Sequence, residues 1–209
     1  MWGALARLPG GLWAVHDDLQ SLQPLEPSGG LDRYLLCSDG LDGHVRIGLN
    51  RLHLHQGPSL CRRRKRGAFN NAIGRSRGGQ TTKIHALTDE IGRPRALLIT
   101  AGNIHDLEGA RRLLAMGHQP KRLLADRAYD ARSLREALAG RRIKAVIPPN
   151  PTRKHPHRYD KTAYKGRNVI ERMFCRLKDF RRIATRYDKR ADIFLSTILL
   201  VAALTWWIN

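Results

Sequence analysis

Asp126 stands at a point where α/β proteins place chemistry. It directly follows Leu123, Leu124 and Ala125, an apolar run of the length of a short buried strand, so its carboxylate lies at the carboxyl end of that strand, where open sheets present groups to ligands. The ordinary role of a lone Asp there is to form a turn or cap a helix. A second polar set lies downstream. On a helix of 3.6 residues per turn, Tyr164, Arg167, Glu171 and Lys178 fall within an arc of about 60°. Val169, Ile170, Met173, Phe174, Leu177 and Phe180 occupy the adjoining side, so one side packs and the strip beside it stays polar. Carboxylates such as Asp126 and Glu171 suit a hard divalent cation, and the basic groups beside them suit phosphate.

These residues need a scaffold, and the chain between them supplies one. Lys83 to Leu87 reads as a strand, Gly92-Arg93-Pro94 as a turn, and Ala96 to Ile99 as the hairpin partner. Asp106 to Met116 has helical spacing, with His105 or Asp106 set to cap or charge its first turn. Arg122 to Ala125 is a strand, Ser133 to Leu138 a helix closed by Gly140, and Lys144 to Ile147 a strand stopped by Pro148-Pro149. Tyr164 to Phe180 and Ile193 to Trp207 read as two further helices. The order β-β-α-β-α-β-α-α predicts an α/β fold with a partly parallel sheet.

Charge narrows the function. Among 209 residues, 38 Lys plus Arg against 18 Asp plus Glu give a formal charge of +20, which favours a folded binder of polyanions. The distribution is uneven. Residues 1–60 hold four basic residues (Arg7, Arg33, Arg46, Arg51) and six acidic ones, and the first Lys is Lys65. This segment is rich in turn signals and poor in periodicity. A basic run, Arg62 to Arg66, closes it, and the Arg153 to Arg158 loop with Arg181, Arg182, Arg186 and Lys189 offers phosphate contacts further on. Cys37, Cys61 and Cys175 show neither a disulfide framework nor zinc spacing, which fits a reducing cytoplasm. The N-terminus makes a poor signal peptide, and the apolar stretch Ile193 to Ile208 falls short of the ~20 residues a bilayer span needs, so a buried terminal helix and no membrane are expected.

The spacing of Tyr164, Arg167, Glu171 and Lys178 resembles the Y-R-E-K signature of bacterial insertion-sequence transposases. Gly74 to Asp89 (GRSRGGQTTKIHALTD), His105 to Ala110, Leu123 to Asp130 (LLADRAYD), Val146 to Pro149 and Phe180 to Lys189 are also similar to the IS-five type. The resemblance covers roughly residues 67–209. It implies a ribonuclease H-like fold, a mixed sheet flanked by helices, in which Asp, Asp and Glu hold two Mg²⁺ ions, Mn²⁺ being a possible substitute. On matching positions Asp126 is the second carboxylate and Glu171 the third. Two metals about 3.5 to 4 Å apart supply what phosphodiester transfer requires, an activated oxygen and a stabilised leaving oxygen. Tyr164, Arg167, Lys178, Arg181 and Arg182 are then DNA contacts. Lys178 lies about 10 Å along the helix from Glu171, in reach of phosphate rather than metal.

One part of the family pattern is missing. Its first carboxylate sits on the first, central strand in a segment reading roughly I-D-S-T, and no such segment occurs here. Asp39 and Asp42 are the nearest upstream acids, each followed by Gly in turn-like surroundings, so no first catalytic Asp is identified. Asn50 to Cys61 can, however, be encoded so that starting one nucleotide later reads I-D-S-T-Y-I-K-A-H-R-S. The same offset turns Leu22 to Gly29 and Leu31 to Gly40 into family-like strings. Residues 1–66 are therefore expected to be a poorly structured or out-of-frame segment, and residues 67–209 a catalytic region whose sheet lacks a proper first strand. A programmed frameshift that yields a fused, complete enzyme accounts for the same pattern.

The expected function is that of a DNA transposase that cleaves the terminal inverted repeats of its element and joins them to target DNA. It would act as a homodimer on double-stranded DNA, in the bacterial cytoplasm at the nucleoid, impaired here by loss of the first Asp. The rival from a different class is a non-catalytic DNA-binding fragment that occupies element ends or regulates the full-length enzyme. A ribosomal-type RNA-binding protein fits the charge but leaves the Asp126 and Tyr164 to Lys178 arrangement unexplained.

Overall fold

The β-hairpin expected around Gly92 is the spine of the molecule. The computed structural model describes residues 5–7, 13–15, 44–53, 71–77, 79–116 and 120–208. Two units divide the chain, Met1–Gly30 and Leu31–Asn209. In the first, β1 (Leu5–Arg7) pairs antiparallel with β2 (Trp13–Val15).

The second unit holds β3 (His44–His53), β4 (Gly74–Ser76), β5 (Gly79–Thr88), β6 (Pro94–Ala101), α1 (Asp106–Ala115), β7 (Arg122–Leu124), α2 (Arg132–Gly140) and β8 (Lys144–Val146). Four helices follow: α3 (Lys161–Lys165), α4 (Asn168–Lys178), α5 (Arg181–Ala184) and α6 (Ala191–Ala203), the last extended by a π-helical turn over Leu204–Ile208. Strands β6, β5 and β3 run antiparallel to one another, while β7 and β8 continue the sheet parallel to β3, in the order β6-β5-β3-β7-β8. The short β4 pairs with the start of β5. Helices cover both faces, because the side chains of β5 and β6 alternate between two apolar layers and are buried on each. Ile84, Ala86, Leu97 and Ile99 pack with Ile170, Met173, Phe174 and Leu177 of α4 and with Phe194, Leu195 and Ile198 of α6. Leu87, Ala96 and Leu98 pack on the other face with Leu113 of α1 and with Leu134 and Leu138 of α2.

The mixed α/β sheet flanked by helices is thus as expected, but the predicted gap at its centre is filled. β3 lies between β5 and β7, with Ile47 opposite Leu87 and Val45 opposite Leu123. Two features account for this. Val45 and Ile47 alternate toward one core layer and Leu52 faces the other, and ladder hydrogen bonds between backbones ask little of side-chain identity. The sequence reading weighed the surrounding turn residues and missed that a period of two over a few residues suffices between two waiting strands.

A second departure concerns the helix expected over Tyr164 to Phe180. The chain breaks it at Gly166, whose N–H closes α3 onto the carbonyls of Ala163 and Tyr164, and α4 begins two residues later. Asp160 caps α3, its carboxylate accepting from the Ala163 N–H at 2.9 Å. Phe180, assigned to the packed side, is 44% exposed. Ala191–Ile208 is long and apolar enough to cross a membrane by length and composition. Its Phe194, Leu195, Ile198, Val201 and Ala202 nevertheless belong to the core, as the sequence predicts for a terminal helix.

Candidate active site

Asp126 follows β7 by one residue and is half-buried, the last position before the chain leaves the sheet. Its Oδ1 accepts from the N–H of Ala128 at 2.9 Å and so caps a single 3₁₀ turn over Arg127–Tyr129. The capping role and the ligand role coexist, because a carboxylate has further lone pairs. Asp126, Arg127, Ala128, Pro148, Tyr159 and Tyr164 line a cleft of about 310 Å³. Tyr159 stands edge-on to Tyr164 with ring centroids 5.6 Å apart. Sequence reasoning missed Tyr159; its one signal was its place directly before the helix-capping Asp160.

Tyr164, Arg167 and Glu171 form one group despite the break at Gly166. The Arg167 guanidinium lies 5.9 Å from the Tyr164 ring centroid and donates to the Glu171 carboxylate. Burial raises the Tyr164 phenol above its usual range against the pull of Arg167, and the carboxylates of Asp126, on β7, and Glu171, on α4, both push it the same way. Tyr164 shares the cleft with Asp126 and is linked to Glu171 through Arg167. Lys178 is exposed at the far end of α4, and Arg181 and Arg182 are exposed on α5, Arg182 pairing with Asp188 at 2.9 Å. Arg186, read from the sequence as a phosphate contact, is not at the surface. It is fully buried and donates to protein carbonyls. His105 caps α1, accepting from the Leu107 N–H at 3.2 Å, and Asp106 pairs with Lys83 at 2.5 Å, so neither is free for the site.

The central strand supplies no acid. Between His44 and His53 every residue is neutral or basic. Continuing the parallel register of β3 and β7 two residues past Arg46 and Leu124 sets Gly48 beside Asp126. A Cβ at Gly48 would lie 2.7 Å from Ile170 Cδ1 and 3.1 Å from Phe174 Cε2, so a side chain there requires the ends of these two side chains to shift. Arg46, two residues earlier, is buried and donates to the carbonyls of Gly166 at 2.6 Å and Asp89 at 2.8 Å. Desolvation holds its guanidinium below the usual range. No group of three His, Cys, Asp or Glu able to hold a metal occurs among the described residues. Asp39 and Asp42 lie outside them. Among the described residues, no third His, Cys, Asp or Glu joins Asp126 and Glu171 in such a group.

A further carboxylate stiffens the cleft wall. Asp130, whose side chain is 1% exposed, accepts from Arg135 at 2.7 Å, from Arg153 at 3.1 Å and from the backbone N–H of Asn150 at 2.8 Å. Burial alone would raise its pKa; the Asn150 N–H and the two guanidinium groups outweigh it and hold it below the usual carboxylate range. It pins the loop after β8 to α2. Asp130→Ala is expected to cost about 1–2 kcal/mol, since both arginines can rehydrate, and urea denaturation checks this.

The chain is a mixed α/β sheet with a carboxylate just past its fourth-position strand and another on the helix packed over it. The model of the Transposase DDE domain family matches residues 59–206, and the chain belongs to this family. A relative described as a transposase for insertion sequence element IS6501 of Brucella ovis is 39% identical over 131 residues, 60% of this chain and 98% of that protein. Another, for element IS402 of Burkholderia cepacia, is 32% identical over 148 residues, 66% of this chain and 67% of that protein. Among solved structures, the simian T-cell lymphotropic virus intasome in complex with the PP2A regulatory subunit B56 gamma aligns at 13% identity with a TM-score of 0.48, over 90% of this chain and 55% of that one. Members of this family transfer or hydrolyse phosphodiesters of DNA with the help of divalent metal ions.

Proposed function

We propose that this chain binds the double-stranded DNA of an insertion sequence, at its terminal inverted repeats and at target sites, as an impaired transposase in which Asp126 and Glu171 are the second and third catalytic carboxylates. One observation carries the impairment: the central strand, His44–His53, offers no acid beside Asp126. The two Mg²⁺ or Mn²⁺ ions expected of the family require a fuller donor set than these two side chains, so cleavage and strand transfer are lost or very weak while DNA binding persists. Tyr164, Arg167, Lys178, Arg181 and Arg182 contact the DNA backbone, as a homodimer on DNA in the bacterial cytoplasm. Residues 1–66 are read as an out-of-frame segment preceding the catalytic region 67–209. The family match beginning at residue 59 and the absence of any acid on β3 support this reading.

Binding and cutting are separable by experiment. The purified chain should shift a duplex carrying the element ends equally well with Mg²⁺ and with EDTA, and should not nick it. A fusion in which the upstream frame is shifted by one nucleotide to read I-D-S-T should cleave in Mg²⁺, and Asp126→Asn or Glu171→Gln should abolish that cleavage. Metal-dependent nicking by the unrepaired chain would overturn the impairment, and failure to bind DNA would overturn the function.

A further inference from the structure

Beside the Asp130 clasp lies a second concavity. It measures about 510 Å³ and is lined by Arg132 and Arg135 of α2 and by Arg153, Lys154, His155 and His157 of the following loop. Arg132 and Arg135 share one face of α2 with Glu136 and Ala139, at the spacing of helix neighbours. The groove has two acids, and both are occupied: Glu136 pairs with Arg132 at 2.7 Å, and Asp130 holds Arg135 and Arg153. Four permanent cations face two carboxylates, so the groove is cationic by two charges before its histidines are counted. Lys154, His155 and His157 are exposed and have no hydrogen bond or ion pair among the described residues. Pro156 between the two histidines limits the loop's freedom, and Asp130 fixes its base, so the cations are held near one another rather than dispersed.

Position ties the groove to the cleft. Both are walled by the same two chain segments, the one leaving β7 and the one leaving β8. Arg132 lies six positions after Asp126, a reach of at most about 20 Å, which spans about six base pairs at 3.4 Å each. We propose that this groove is a second phosphate-contacting surface, which holds the DNA duplex flanking the carboxylate cleft through Lys154, His155 and His157 without reading its sequence. The proposal rests on the DNA-binding function above and adds a surface that the Y-R-E-K strip does not contain. A phosphodiester backbone fits because it brings a row of anions, requires no base contact, and meets the unpaired cations without displacing the paired ones.

The full chain and a fluorescein-labelled duplex of random sequence, followed by anisotropy over a salt series, test this. Removing one cation that neutralises a phosphate makes the plot of log K against log salt shallower by about 0.9. The triple variant Lys154→Ala, His155→Ala, His157→Ala is expected to lower the slope by about 1, the share of Lys154, to weaken binding about tenfold at low salt irrespective of sequence, and to leave thermal melting unchanged. Lys154→Glu alone should weaken binding further than Lys154→Ala. A wild-type slope in the triple variant overturns the groove. If Lys178→Ala and Arg181→Ala still lower the slope in that case, the DNA-binding function stands and only the groove is wrong. If the wild-type chain binds no duplex at all, both fall. A triple variant that loses affinity for RNA but not for the duplex assigns the groove to another partner and overturns the proposal as well.

Discussion

Arg186→Ala is expected to destabilise the fold by about 3–5 kcal/mol, a large share of the roughly 5–15 kcal/mol that a domain holds in reserve. The reason lies in what the guanidinium satisfies. Its Nε donates to the Asp188 carbonyl at 2.8 Å, Nη1 to the Ala72 carbonyl at 3.2 Å and to the Thr82 hydroxyl, and Nη2 to the carbonyls of Asn71 at 2.8 Å and Lys189 at 3.0 Å. Its face lies 4.8 Å from the Phe194 ring centroid. One side chain therefore joins the approach to β4, strand β5, the turn before α6 and α6 itself. Burial lowers its pKa to about 10, against the attraction of Asp188, yet it stays charged at any physiological pH. Truncation leaves several buried carbonyls without donors and opens a cavity beside Phe194. Arg186→Lys should recover only part of the loss, because one ammonium cannot reach acceptors on all sides of a planar fork. Urea unfolding at pH 7 measures this through the midpoint at constant slope; a loss below about 1 kcal/mol in the alanine variant would show that the network is dispensable.

That residue marks where the sequence stopped being legible. Arg186 sits in a run with Arg181, Arg182 and Lys189, and the run alone gives each the same surface role. Only the fold reveals that carbonyls from distant segments surround one of them and water the others. The hairpin of β5 and β6 was readable because its signals are local: alternation along both strands and a turn in which Gly92 takes φ +92 and the Asp89 carboxylate accepts from the Ile91 and Arg93 N–H groups. The Tyr164, Arg167, Glu171 group was readable because helical spacing survives the two-residue break between α3 and α4. Asp130 was not, since its partners come from α2 and from a loop about twenty residues on. β3 was hidden for a different reason. A central strand is stabilised by edges on both sides, which no window of its own sequence contains.

The second large effect is a pH dependence with one residue behind it. His85 lies on β5, fully buried beneath α1, with Nε2 2.8 Å from the Thr100 hydroxyl and no partner for Nδ1. Gly109 allows this closeness: a Cβ there would fall 2.2 Å from Nδ1, so α1 can approach the ring only through a glycine. Desolvation lowers the ring's pKa to about 4, the pull of Asp106 being offset by the neighbouring Lys83 and Arg112. Lys83 and Asp106 already satisfy each other at 2.5 Å, which leaves no free anion to stabilise an imidazolium. In the unfolded chain the ring titrates near 6.5. As pH falls below that value the unfolded state takes up a proton that the folded state refuses, so stability declines with falling pH down to about 4, where both states become protonated and the loss levels off. A shift of this size corresponds to about 3 kcal/mol over the window. Urea midpoints at pH 7, 5.5 and 4.5 should fall steeply for the native chain and distinctly less for His85→Asn, which carries no titrating ring although it is weaker at pH 7. Parallel declines in the two proteins would transfer the acid sensitivity to the carboxylates. Gly109→Val should disrupt folding at every pH, because it drives α1 off the sheet rather than changing a proton's affinity.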